Sequence, residues 1–159
     1  MALDIVGEYV VPASRANVYS AMNDIVILKQ CIPGCEEIEE RSDGEFAAIV
    51  RFEFGPLKAR FRGKVRLFDR DPPNGYRLVG EGEGGVAGFA KSSAVVALAD
   101  TPEGTKLTYQ LEANVGGKIA QLGQRLLMST TKKMADQFFQ NLVAALTEPV
   151  RAELEAKPQ

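Results

Sequence analysis

Histidine and tryptophan are absent from this 159-residue sequence, and cysteine occurs only twice. Without histidine, no side chain changes charge near neutral pH at its ordinary pKa, and no catalytic arrangement can be built on imidazole. The commonest metal ligand is missing too, and two cysteines cannot fill the four positions of a structural zinc site. No apolar run approaches the roughly 18–20 residues that a membrane-spanning helix needs. The opening MALDIVGEYVV carries no basic segment and no cleavage motif, so no secretory signal is expected. Two cysteines without a signal lead to the expectation of a reducing cytoplasm. An excess of one charge is lacking as well. The formal net charge is −2, which gives no bulk attraction to nucleic acid.

What is present is the composition of an ordinary globular domain, 45% hydrophobic and 25% charged. A chain of this size buries roughly 70% of its unfolded surface, so one domain over 1–148 is expected, followed by a polar tail, 149–159, that frays. Alternation of Leu3, Ile5, Tyr9 and Val11 with Asp4 and Glu8 reads as a strand over 3–11, stopped by Pro12. Ser14 and Asp24 then cap two short helices, through Met22 and through Ile32. Strands follow at 35–42, 45–54, 57–68, 76–85, 86–100 and 106–115, separated by turn signals such as Ser42-Asp43-Gly44, Gly55-Pro56 and Asp71-Pro72-Pro73-Asn74-Gly75. Short turns between alternating strands imply an antiparallel meander with one buried face. Residues 118–147 read as one helix, with Ile119, Leu122, Leu126, Thr130, Met134, Phe138 and Leu142 as its inner stripe.

This order implies an α+β helix-grip fold. A curved antiparallel sheet of about seven strands wraps a long C-terminal helix, with two short helices after the first strand. The inward positions of the strand at 76–85 are Leu78, Gly80, Gly82 and Gly84, so three side chains are missing from the concave face. The next strand offers Ala90, Ser92 and Ala94. Glycine within a strand marks a bend or a close approach, and interiors do not tolerate large voids cheaply. Either the helix closes on this region or a ligand fills it. On the second reading the walls are Phe46, Phe52, Phe54 and Phe61, joined by Leu78, Gly80, Gly82 and Phe89. Leu111, Leu122, Leu126, Met134 and Phe138 complete them, and Ser92 and Tyr109 supply the polar groups that an apolar pocket uses for orientation. A Gly-rich run, Gly84-Gly85-Val86-Ala87-Gly88, has the backbone freedom to gate it.

The other face of 57–68 carries Lys58, Arg60, Arg62, Lys64 and Arg66, spaced by about 6.6–6.8 Å along a strand. Cross-strand carboxylates such as Glu81 and Glu83 would neutralise part of this stripe. The alternative is docking to anionic lipid or an acidic partner. No aromatic platform is interleaved with it, so nucleic acid is not expected. The two cysteines stand in QCIPGCEEI (30–38). Cys31 falls on the apolar side of the second helix, and Pro33-Gly34 turns the chain into the next strand. CxxxC is not the CxxC redox motif, and Glu36 and Glu37 disfavour a thiolate. A structural role is expected, with a regulatory thiol as the alternative.

CIPGCEEIEE, placed between short helices and a meander, resembles the signature of the CoxG family, the G subunits of carbon monoxide dehydrogenase. GEYVVPASRANVYSAMND, PLKARFRGKVRLFDRD, GEGEGGVAGFAKSSAVVAL and YQLEANVGGKIAQLGQRLL are similar to that family's other segments. The resemblance covers 1–147 and implies the START-like, SRPBCC helix-grip superfamily that also holds Bet v 1-like proteins. It implies no catalytic residues, no metal and no covalently bound cofactor. It implies an accessory protein of a molybdenum-containing hydroxylase, aiding membrane recruitment, maturation or delivery of an electron acceptor, with a quinone or other lipid as cargo. Some members carry a hydrophobic C-terminal anchor. None is evident before Gln159, so transient contact at the inner face of the membrane is expected. The alternatives are a ligand-free assembly factor and a cyclase- or hydrolyase-like enzyme using Tyr109, Glu112 or Lys91.

Overall fold

The computed structural model describes the backbone of residues 1–156 and the side chains of residues 1–147. The chain opens with strand β1 (Ala2–Val11). Helices α1 (Arg15–Met22) and α2 (Ile25–Cys31) follow. The Ser14 hydroxyl accepts from the Asn17 N–H at 3.2 Å, and the Asp24 carboxylate accepts from the Val26 N–H at 2.9 Å. Each cap satisfies a backbone donor that the first helical turn leaves unpaired. Six strands come next: β2 (Cys35–Ser42), β3 (Glu45–Phe54), β4 (Leu57–Asp71), β5 (Gly75–Glu83), β6 (Phe89–Thr101) and β7 (Gly104–Gly116). They pair antiparallel in the order β1-β7-β6-β5-β4-β3-β2. Helices α3 (Lys118–Gln121) and α4 (Gln124–Ala156) end the described chain. Of the expected tail, 149–159, residues 157–159 lie outside the described residues.

Helix α4 packs against β1, at one edge of the sheet, and against β3, beside the other edge. Both can touch one helix only if the sheet curls around it, which is the helix-grip arrangement the strand order implied. Helix α2 also packs on α4. There the Asn141 side-chain N–H donates to the Cys31 carbonyl at 3.0 Å, satisfying an end-of-helix acceptor.

The last helix runs to Ala156 and β4 to Asp71, beyond the ends expected from sequence, and two interruptions at glycine also depart from the expectation. The helix expected over 118–147 is broken at Leu122-Gly123, where Gly123 adopts φ +92°, a conformation that ends helices and favours glycine. The most buried residues of α4 are Leu127, Phe139 and Leu142, while Leu126 and Phe138 beside them stay half-buried. The strand expected from 86 begins at Phe89, because Gly85–Ala87 forms a 3₁₀ turn between glycines. The turn is pinned by the buried side chain of Ala87.

Candidate ligand-binding site

The alternation expected along the strands holds, and it sends the small residues inward together. Cross-strand pairing sets Ala48, Gly63, Gly82 and Ala90 side by side on β3, β4, β5 and β6. The next inward row is Val65, Gly80, Ser92 and Ala113. These rows lie where the core is interrupted. One buried cluster joins Val11, Val18, Leu107, Phe139 and Leu142 with Tyr76, Val96 and Leu98. A second joins Leu3, Phe54, Phe61, Val115, Ile119 and Leu127. Val65 and Leu111 point between the layers yet belong to neither cluster, and both remain half-buried, as does Ser92. A side chain aimed between two layers that keeps accessible surface borders unfilled space, since close packing would cover it.

The glycines show what adjoins that space. A Cβ on Gly80 would sit 3.2 Å from Ser92 Oγ and 3.5 Å from Val65 Cγ2, and one on Gly82 would meet only Arg62 O at 3.7 Å and Phe61 Cδ1 at 3.9 Å. No atom of α4 comes within 4 Å of the Gly82 position. The terminal helix therefore does not plug the sheet there. Gly84 is different, because a Cβ on it would press into the Phe61 ring at 2.8 Å, so that glycine makes room for a neighbouring aromatic.

Most of the expected wall residues converge on this band and its rims. Phe52, Phe54 and Phe61 form a contacting trio with centroid separations of 5.6–5.7 Å. Leu122 and Met134 pack against the same cluster, and Leu78, Tyr109 and Phe138 against the other. Phe46 is buried on the inner face across from Val65. Leu126 leans over the β3–β4 turn, with Cδ2 3.1 Å from the Cβ position of Gly55. Phe89 is a correction. It is 47% exposed and lies on the outer face, where its ring covers Gly116. Ala90, Ser92 and Ala94 face inward, and the alternation of the same strand therefore puts Phe89 outside.

The polar equipment differs from the expectation as well. The Tyr9 hydroxyl, on β1, donates across the layers to the Asp136 carboxylate on α4. The Tyr9, Tyr109 and Phe139 rings lie nearly parallel, with Tyr9 and Phe139 centroids 4.1 Å apart. The Tyr109 ring occupies the space above Gly7, whose Cβ would collide with it. Burial and the hydrogen bond to Asp136 push the Tyr9 phenol up, and burial pushes the Tyr109 phenol up. Both stay neutral near pH 7. Sequence reasoning missed Tyr9, Asp136, Gly7, Ala48 and Gly63. Asp136 stands three residues before the buried Phe139 on α4 and reaches Tyr9 from there.

The outer face carries the five basic residues of β4, all exposed. Arg60 makes a bidentate pair with Glu36 at 2.6 and 3.1 Å, and Arg66 meets Glu45 at 3.4 Å. Lys64 and Arg62 stand opposite Glu81 and Glu83 in register. Among the described residues neither of them, nor Lys58, closes an ion pair. A groove of about 1530 Å³ runs across this face between β2 and β6, lined by charges of both signs and by the Gly-rich turn. Arg60, Arg62, Lys64, Glu81 and Glu83 of the alternating outer face line it.

A sheet curled around one helix, with small residues inward and a divided core, defines the helix-grip class, START-like and SRPBCC in type. Within that class, the model for the G subunit of carbon monoxide dehydrogenase (CoxG) matches residues 7–147. The chain belongs to the CoxG family. A conserved protein from Geobacillus kaustophilus is 31% identical, with a TM-score of 0.87, over 92% of this chain and 96% of that one. The Zhui aromatase/cyclase from a Streptomyces species is 11% identical at a TM-score of 0.70, over 96% and 98%. Ara h 8.0201 is 15% identical at 0.66, over 93% and 99%. These last two likenesses concern the fold. No curated protein matches in sequence. Among the described residues no helix is long and apolar enough to cross a membrane.

Proposed function

We propose that this protein is a non-enzymatic carrier of a lipophilic small molecule, held between the sheet and α4, and an accessory of a molybdenum-containing, carbon monoxide dehydrogenase-type hydroxylase. The observation that carries the reading is the divided core. Val65, Ser92 and Leu111 face the helix across the glycine rows and keep accessible surface that close packing would remove. Membership of the CoxG family supports the accessory role and a hydroxylase partner. A quinone suits such a site, since its ring and tail fill apolar space and its carbonyls need one or two donors. The carrier works in the cytoplasm and meets the inner face of the membrane transiently, where it collects or releases its cargo. The test is native mass spectrometry of gently purified protein, followed by organic extraction. The reading expects an isoprenoid quinone or similar lipid to leave with the protein. Repeated preparations that carry no lipid and take up none on incubation with quinone vesicles would overturn it.

A second reading, a ligand-free assembly factor, is favoured by the outer groove, which is rimmed by Arg62 and Lys64, neither of them in an ion pair among the described residues. Filling the inner space would then leave function intact.

A further inference from the structure

The two edges of the sheet differ, and the geometry points to β1 as a strand-addition site for an extended, basic segment of a partner polypeptide. An edge strand exposes a row of unpaired N–H and C=O groups, which folded proteins blunt with bulges, charges or a covering element. Strand β2 has all three. Its register with β3 shifts twice, between Cys35 and Glu37 and between Glu40 and Ser42. It carries Glu36, Glu37, Glu39 and Glu40, and α2 packs beside it. Strand β1 instead pairs with β7 over ten residues without a shift and contains no proline. Two of its outward side chains are apolar, Val6 at 75% exposure and Val10 at 51%.

Register fixes which backbone groups of β1 are free. The Met1 ammonium donates to the Val115 carbonyl at 2.9 Å, and the Val115 N–H donates to the Met1 carbonyl at 2.8 Å. Hydrogen-bonded pairs alternate along an antiparallel ladder, so the odd-numbered residues from Leu3 to Val11 bond β7. Ala2, Asp4, Val6, Glu8 and Val10 aim their N–H and C=O groups away from it. All five residues are exposed, and among the described residues none of these groups bonds another part of the backbone. Charge then selects the occupant. The outward side chains of β1 include Asp4 and Glu8 and no cation. Glu8 has Lys106 at 3.2 Å. Asp4 stands opposite Glu112 of β7, an unfavourable pairing of like charges, and neither closes an ion pair among the described residues. A second copy of β1 would add its own Asp4 and Glu8 to this row. A strand with Lys or Arg at alternate positions neutralises Asp4 and Glu112 while its backbone takes up the free ladder. The assignment is independent of the carrier reading, because it uses only the outward and edge-facing groups of β1.

The test adds the acetylated and amidated peptide TKVKVKT to the full chain at low salt, with affinity read by calorimetry and amide exchange by NMR. The even-numbered amides of β1 are expected to slow in exchange, while those of Leu3, Ile5 and Gly7, already in the ladder, change less. Val6→Pro removes one edge donor without touching the β7 ladder, a substitution that edge strands tolerate, and is expected to weaken the peptide by at least about fivefold. Asp4→Asn combined with Glu112→Gln keeps every backbone group and is expected to weaken it about three- to tenfold, with a smaller difference at high salt. Circular dichroism and urea midpoints establish that the variants fold, and exchange in the wild type reads the same contact if Val6→Pro does not. A peptide that fails to bind the wild type, or that binds Val6→Pro equally and leaves the even-numbered amides unprotected, overturns the assignment. A wild-type dimer in sedimentation that Val6→Pro dissociates also overturns it and gives the edge to a second copy.

Discussion

Gly34 explains why two cysteines stand around a Pro-Gly step. It adopts φ +77°, and a Cβ there would strike the Arg51 carbonyl of β3, whose N–H in turn donates to the Gly34 carbonyl at 2.8 Å. The turn is thus locked to the sheet by backbone. Cys31 before it is fully buried, and Cys35 after it is half-buried with its thiol donating to the Glu37 carbonyl at 3.4 Å. Burial pushes both thiols up, and Lys29 partly offsets this at Cys35. A raised pKa means less thiolate at neutral pH, so the sign of the pH effect is fixed. Iodoacetamide is expected to label Cys35 alone in the native protein, at a rate still climbing above the ordinary thiol pKa of about 8.5, and to reach Cys31 only in denaturant. Rapid native labelling of both would contradict this packing. The structural reading of Cys31 was available from its place on the helix stripe. The role of Gly34 required knowing that β3 passes directly above it.

At the scale of elements, alternation predicted the inward faces of β3, β4, β5 and β7 because each strand buries one side only. It held at β6 as well, where Ala90, Ser92 and Ala94 face inward, and Phe89, counted among the walls, is on the other side. In the last helix Leu127 and Phe139 are more buried than the expected Leu126 and Phe138, while Leu142 is buried as expected. Neither composition nor spacing reports which glycines take positive φ. The glycine row at β5 was legible, but its partners Ala48 and Gly63 were not, since cross-strand register is a property of pairing. Gly82 is the point where this matters most. Its φ is not in the left-handed region, and a Cβ there would make ordinary contacts only. Gly82→Leu is expected to shift stability by less than about 1 kcal/mol, against about 1–3 kcal/mol for overpacking a filled core, and to abolish uptake of dimethylnaphthoquinone. Urea denaturation and calorimetry read these separately. A large loss of stability would mean that the layer is already full.

For the molecule as a whole, the strand order, the two short helices and the closing helix were all legible, since short antiparallel connections leave few topologies for this order. The interior was less so. A divided core emerges only when the sheet is curled and the helix is laid across its edges. The charged stripe of β4 that lines the outer groove was legible, but the part that β2 and the Gly-rich turn play in it was not. The molecule therefore presents an apolar inner face toward α4 and a charged outer groove. Methyl-resolved NMR with added dimethylnaphthoquinone discriminates between them directly. If the inner layer is the ligand site, shifts centre on Val65, Leu78 and Leu111, while Ile49, Val79 and Val86 on the outer face stay still. Shifts confined to Ile49, Val79 and Val86, with the inner methyls silent, would contradict the account.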